Sequence, residues 1–171
     1  APIIKSKEGD RYGNTSVYQN VGNPILDIEN NYNREKRNRI QSVGYINIKP
    51  LPWLTFRSSI GGELNSFTGN VYNYEFENDE TTFLNAGGNQ RNPNSNLSVN
   101  KSGYFSWVWD NTVTLFKKFD QHTVTFLAGT TAEQFSSNYI KAFRKDVPAN
   151  KDLWYIGVGD ANTSTNDGGG D

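Results

Sequence analysis

His122 is the only histidine in a chain of 171 residues that contains no cysteine. Thiolate catalysis, zinc ribbons and disulfide frameworks are excluded, and a triad would have to form around one ring beside an expected tight turn. No phosphate-cradling glycine loop precedes a helix. Glu63, Asp110 and Glu133 are the carboxylates from which a glycoside-hydrolysing pair would be drawn, yet nothing in their spacing brings two together. Oxygen ligands suited to calcium occur in the acidic run Glu75, Glu77, Asp79, Glu80 and in Asp160-Ala161-Asn162-Thr163-Ser164. Thr165 stands where an EF-hand loop needs glycine, and an acidic run is more often merely solvated. The chain reads as no enzyme, with no cofactor beyond a structural calcium in a loop.

The remaining candidates are binding groups. Arg34, Lys36, Arg37 and Arg39 form a basic cluster, but the net charge is -1 and a nucleic-acid site needs a wider basic face, so nucleic acid is not expected. Trp107, Trp109, Trp154 and Tyr155 have faces that stack on sugar rings. Sequons begin at Asn14, Asn96, Asn100 and Asn162, as chance alone supplies among 23 asparagines.

These groups need elements to hold them. Hydrophobic residues make up 35% of the chain and mean hydropathy is -0.72, while aromatic content of 13% is too high for a disordered tail. Asparagine together with 16 glycines makes the connections rich in turn formers. No apolar run approaches the roughly 20 residues of a membrane helix, and no signal peptide is visible. Alternating membrane strands keep average hydropathy low and are not excluded.

Residues 1–33 read mostly as loop, punctuated by Ala1-Pro2, Gly9, Gly13, Gly22 and Asn23-Pro24. A strand of ambiguous register follows the basic cluster, over Ile40 to Lys49, and the prolines of Lys49-Pro50-Leu51-Pro52 interrupt it. From Leu54 to Asn65 the alternation is clean. Leu54, Phe56, Ser58, Ile60, Gly62 and Leu64 share one face, while Thr55, Arg57, Ser59, Gly61, Glu63 and Asn65 share the other. A polar connection spans about 71–101. Further strands are expected over about 102–116, with Phe105, Trp107, Trp109 and Val113 in phase, and over 123–134, joined by a charged turn at Lys117 to Gln121. Beyond Lys141 the chain returns to loop and ends in a glycine-rich tail, Asn166 to Asp171, that resembles a flexible loop tip.

Strands long enough to cross a bilayer, joined alternately by short turns and long loops, have the asymmetry of an outer-membrane barrel. Trp53 and Phe119 beside the short turns suit an aromatic girdle. The competing fold is a soluble, carbohydrate-binding β-sandwich module whose buried faces alternate in the same way. The expected class is all-β: antiparallel strands of a transmembrane β-barrel, partial, with about four full strands and long extracellular loops. Four strands cannot close a barrel, since the smallest have about 8, so residues 1–171 are expected to be part of a longer barrel chain.

The chain resembles the barrel region of SusC/RagA-like TonB-dependent transporters of the Bacteroidota outer membrane. The resemblance rests on Asn23-Pro24-Ile25-Leu26, on Asn33 to Arg39 leading into a strand, and on Lys49-Pro50-Leu51-Pro52-Trp53-Leu54-Thr55-Phe56-Arg57-Ser58. It continues through Trp107-Val108-Trp109-Asp110-Asn111-Thr112-Val113-Thr114 and His122 to Gly129. It implies a place in the outer membrane of a Gram-negative bacterium and energised import of a bulky nutrient, an oligosaccharide or oligopeptide. Implied partners are a SusD-like surface lipoprotein, TonB with ExbB and ExbD through a plug region, the remainder of the barrel and outer-membrane lipid. No plug domain or TonB box is recognisable in these residues, and no binding residue is carried over by motif.

On that scheme Arg57 and Glu63 line the lumen and pair with neighbouring strands or the plug. The phase that Trp107 and Trp109 share with Phe105 favours lipid over sugar. Trp154 and Tyr155, in an outer loop, are placed to meet substrate or the lid protein, or to anchor the loop.

Overall fold

The computed structural model describes residues 5–15, 21–85 and 87–171. Ala1-Pro2, read as loop punctuation, and Ser16, which completes the sequon of Asn14, lie outside the described residues. In chain order the elements begin with β1 (Lys7–Glu8), β2 (Arg11–Tyr12) and α1 (Pro24–Glu29). The long strands β3 (Asn31–Leu51), β4 (Leu54–Asn73), β5 (Asn96–Phe119) and β6 (His122–Lys145) follow, and β7 (Thr165–Gly170) is last. The fold is all-β and mostly antiparallel. One sheet carries the order β3-β4-β5-β6-β7, and β1 pairs with β2 in a separate small sheet.

The strands reach well beyond the stretches of clean alternation, at 21, 20, 24 and 24 residues for β3 to β6. The basic cluster lies inside β3 instead of preceding it, so Arg34 and Lys36 take one strand face and Arg37 and Arg39 the other. Pro50 also lies within β3 instead of ending it. β3 is an edge of the sheet, where a residue lacking an N–H is tolerated. The β5–β6 turn contracts to Asp120 and Gln121, with Asp120 at φ 50, a left-handed conformation that aspartate bears better than most residues.

Two further expectations are corrected. Residues 24–29 form a helix rather than loop: Asn23 is its N-cap, accepting from the N–H groups of Ile25 and Leu26 at 2.9 and 3.5 Å, and Pro24 opens its first turn. The terminal glycines are strand β7, not a loose tip. Ser137 and Asp171 exchange backbone hydrogen bonds of 3.2 and 3.0 Å, and a Cβ on Gly170 would stand 2.8 Å from the Ser137 carbonyl oxygen. Glycine there permits close approach of two backbones.

The described residues fall into two compact units. The first comprises Ala1–Lys36, Thr68–Lys101 and Ile140–Gly168. Its core is Tyr72, Leu97 and Val147, each buried, with Tyr32, Tyr74, Val99, Trp154 and Ile156 packed against them. Leu26 and Phe83 are also fully buried in this unit.

The second unit comprises Arg37–Phe67, Ser102–Tyr139 and Gly169–Asp171. It contributes none of the buried hydrophobic residues. Ile40, Ile46, Ile60, Leu64, Phe105, Trp109, Val124 and Phe126 all lie exposed. No second sheet covers them, since apart from the five-stranded sheet the described residues form only the β1–β2 pair. A sandwich would bury one face against another sheet about 10 Å away. The described residues do not form that competing fold.

Candidate functional site

Asparagine concentrates where the strands of the first unit end. Asn31 Nδ2 donates to Asn73 Oδ1 at 2.8 Å, Asn73 Nδ2 donates to Asn96 Oδ1 at 2.8 Å, and Asn96 Nδ2 donates to the Asn94 carbonyl at 3.4 Å. These amides join β3, β4 and β5 in one chain of aligned dipoles, an arrangement in which each bond polarises the next. Beside them lies an open cleft of about 400 Å³, lined also by Tyr74, Asn89 and Arg91. Its walls offer amide donors and acceptors, one guanidinium and aromatic surface, a lining suited to a polar ligand with many hydroxyl or amide groups. Sequence reading missed this cleft. Its only trace was the density of asparagine, and the interleaving of Asn31, Asn73 and Asn96 depends on strand register.

The backbone around the cleft is already paired. Tyr74 N–H donates to the Asn30 carbonyl at 2.9 Å, and Phe76 and Asn92 exchange backbone bonds of 2.8 and 2.9 Å. Asn23 holds the adjoining helix in place. Besides capping α1, its Nδ2 donates to the Ser6 and Gly13 carbonyls at 2.8 Å each, which saturates a buried amide. At the same end of the chain Lys7 Nζ pairs with Glu29 Oε2 at 2.5 Å, and Tyr12 donates its hydroxyl to the same carboxylate at 2.5 Å. The Lys7 bond, and then the Tyr12 bond, hold Glu29 below the ordinary carboxylate range.

Trp154 and Tyr155 part company in the structure. Trp154 stacks on Tyr72 and also meets Tyr32 and Tyr74, while its Nε1 donates to the Pro148 carbonyl at 3.1 Å. It anchors the loop after β6. Tyr155 is 67% exposed and points its ring to solvent. Arg57 and Glu63 take cross-strand partners: the Arg57 guanidinium lies 4.5 Å from the Tyr45 ring centre, and Glu63 pairs with Arg39 at 2.7 Å. Both contacts join β3 to β4 on the polar face.

Trp107 and Trp109 satisfy their ring N–H groups within the sheet, on Gln134 at 3.3 Å and on Ser58 at 2.9 Å. Both candidate calcium loops spend an aspartate on hydrogen bonds within the loop. Asp79 accepts from the Thr81 hydroxyl at 2.5 Å and from the Thr81 and Thr82 N–H groups, which lowers its pKa, and Asp160 accepts from the Asn162 N–H at 2.9 Å. Among the described residues no three of His, Cys, Asp or Glu converge as metal ligands.

The long strands form one five-stranded sheet whose apolar face is bare in the second unit, and that arrangement is what a comparison of folds has to match. No protein-family model matches the chain, and no curated protein does. Among solved structures, the RagAB peptide importer in its "closed-closed" state is similar, with a TM-score of 0.69 and 15% identity. The likeness covers 87% of this chain and 16% of that one, and at this identity it establishes a shared fold.

Proposed function

We propose that this chain is a segment of a β-barrel nutrient importer of the SusC/RagA-like, TonB-dependent kind, set in a bacterial outer membrane. The observation that carries the reading is the bare apolar face of the second unit on strands of 20 to 24 residues. On β5 that face runs from Phe105 to Leu115, roughly 34 Å along the strand at about 3.4 Å per residue. Tilted at about 45°, it spans roughly 24 Å, close to the lipid-facing band of such barrels. Ser58 and Asn111 interrupt the face, but Ser58 is tied to Trp109, and the paired indole N–H groups suit a medium in which an unpaired polar group costs several kcal/mol.

The two-residue turn at Asp120-Gln121 and the long connections at 74–95 and 146–164 fit a barrel with tight turns on one side of the membrane and extended loops on the other. The remainder of the barrel would pair with the sheet edges at β3 and β7, and hydrocarbon would cover the apolar face. A surface lipoprotein of the SusD-like kind would dock on the loops, and TonB with ExbB and ExbD would act through a plug region. The asparagine cleft and exposed Tyr155 are the places where an imported oligopeptide or oligosaccharide would touch this segment.

Detergent dependence tests the reading. The expected result is a β-rich protein that stays monodisperse only in detergent or lipid; a two-state, compact monomer in plain buffer would sink it.

A further inference from the structure

We infer that the asparagine cleft selects a ligand with a single carboxylate, which Arg91 binds while the amide chain holds the ligand's neutral polar groups. The inference rests on the import reading above, whose cargo it narrows. It stays within the first unit, to which every residue lining the cleft belongs. Among the described residues Arg91 is the only cation that lines the cleft. It is exposed, and its guanidinium joins no ion pair or hydrogen bond among those residues. A second opening, of about 670 Å³, shares Asn89 and Arg91 with the first and is lined also by Glu77 and Asp79. Neither acid forms an ion pair with Arg91, and Asp79 is already engaged by Thr81 and Thr82. A guanidinium in this state presents parallel N–H groups that fit a carboxylate bidentately.

The amide chain keeps unused capacity for the rest of the ligand. Asn73 gives one Nδ2 hydrogen to Asn96 and takes one bond on Oδ1 from Asn31, so one N–H and one lone pair remain. Asn96, bonded to Asn73 and to the Asn94 carbonyl, is left the same way. Carboxamides carry no charge, so they bind hydroxyl and peptide groups but do nothing to balance a second anion. Asp27 lines the same cleft, its Oδ1 accepting from Gln90 Nε2 at 3.2 Å, and its negative charge persists there. With Glu77 and Asp79 bordering the adjoining opening, a ligand bearing several carboxylates meets repulsion that one carboxylate on Arg91 outweighs. That carboxylate belongs either to the free C-terminus of a peptide or to a uronic acid, and the test separates the two.

The full polypeptide that carries these residues is titrated in detergent by calorimetry with two sets of probes. One set is N-acetyl-tetraalanine with a free or an amidated C-terminus, with N-acetyl-tetraglutamate as the polyanion. The other is cellobiouronic acid, cellobiose and trigalacturonic acid. Wild type is expected to bind the single-carboxylate member of one set at least about tenfold more tightly than its neutral and polyanionic counterparts. R91Q, a change at an exposed side chain, should lose that preference and keep the weaker binding of the neutral probe, and N73A/N96A should weaken charged and neutral probes alike. D27N should strengthen the single-carboxylate probe by about threefold, an effect of charge that a merely structural residue would not produce. A preference that survives in R91Q, or that is missing from both sets, would overturn the inference, while neutral-probe binding lost in N73A/N96A would leave the cleft standing as a cargo site. Absence of binding by every probe would also overturn it; the import reading is then decided separately, since it falls only if the chain is a compact monomer without detergent.

Discussion

The rings of Trp154 and Tyr72 stack at 4.3 Å with their planes 15° apart, which fastens the loop after β6 onto the buried face of β4. The Tyr72 hydroxyl donates to the Val147 carbonyl at 2.8 Å and Ser95 Oγ donates to the same oxygen at 2.7 Å, so stacking and hydrogen bonding secure one loop. Trp154→Ala should therefore cost about 3 kcal/mol, with faster hydrogen exchange across 146–164. Trp154→Phe should recover much of the loss. Tyr155→Ala should change stability by less than about 0.5 kcal/mol. Equal effects from the two alanine variants would refute the anchoring role.

Asn23 serves as helix cap and as donor to two loop carbonyls. Asn23→Ala should lower stability by about 2 kcal/mol, more than the loss of a cap alone, because the Ser6 and Gly13 carbonyls lose their donor in a buried place. Denaturant midpoints would measure it. Asn23→Asp keeps the cap but sets a buried carboxylate oxygen against the Ser6 and Gly13 carbonyl oxygens, so it should cost at least as much as alanine.

Acid should loosen the N-terminal segment first. The folded-state pKa of Glu29 is depressed by Lys7 and then Tyr12, and that of Asp79 by the Thr81 hydroxyl and neighbouring N–H groups. Groups of this kind contribute stability that is present above the unfolded carboxylate value, about 4, and is lost as pH falls through the depressed folded value. Lys7 carries the opposite sign: Glu29 raises its pKa, so its contribution is present below the unfolded value and fades as pH rises through the raised one. Hydrogen exchange between pH 5 and 2.5 should show residues 5–12 and 24–29 opening before the β5–β6 hairpin. Glu29→Gln should flatten that acid response; an unchanged acid limb would show that the pair is not its source.

Ile60 separates a lipid-facing surface from a wet one. It is 57% exposed in the middle of β4, so in a water-soluble protein Ile60→Arg would alter stability by less than about 0.5 kcal/mol. In a bilayer the same change should cost about 2–4 kcal/mol if the position lies near the midplane. Unfolding titrations in lipid vesicles give the number directly. Glu63→Arg on the opposite face should leave insertion nearly intact while breaking the pair with Arg39.

The long strands were legible because alternation has a period of two whatever the tertiary context, and Leu54 to Asn65 displayed it without a break. Strand ends were less legible. Tyr32, Tyr72 and Leu97 lie on strand residues of the first unit, where the loop after β6 covers one face and the simple alternation of apolar and polar residues gives way. The helix at Pro24 was hidden in a polar stretch, although an asparagine followed by proline is an N-cap signal. Six residues are too few to show helical periodicity. The glycine tail was misread because glycine marks freedom in a free chain and close approach in a paired one, and only a neighbouring strand distinguishes the two.

From the amino-acid order alone came the all-β class, the alternation of tight turns with long loops, and the absence of a thiol or histidine cluster for chemistry. Those are local properties, set by side-chain period and residue type. Strand register is set by many weak cross-strand contacts at once, and it alone brought Asn31, Asn73 and Asn96 into one amide chain and paired Glu63 with Arg39. Tertiary packing likewise sent Trp154 inward and Tyr155 outward, because a ring can stack on Tyr72 only where the returning loop meets the sheet.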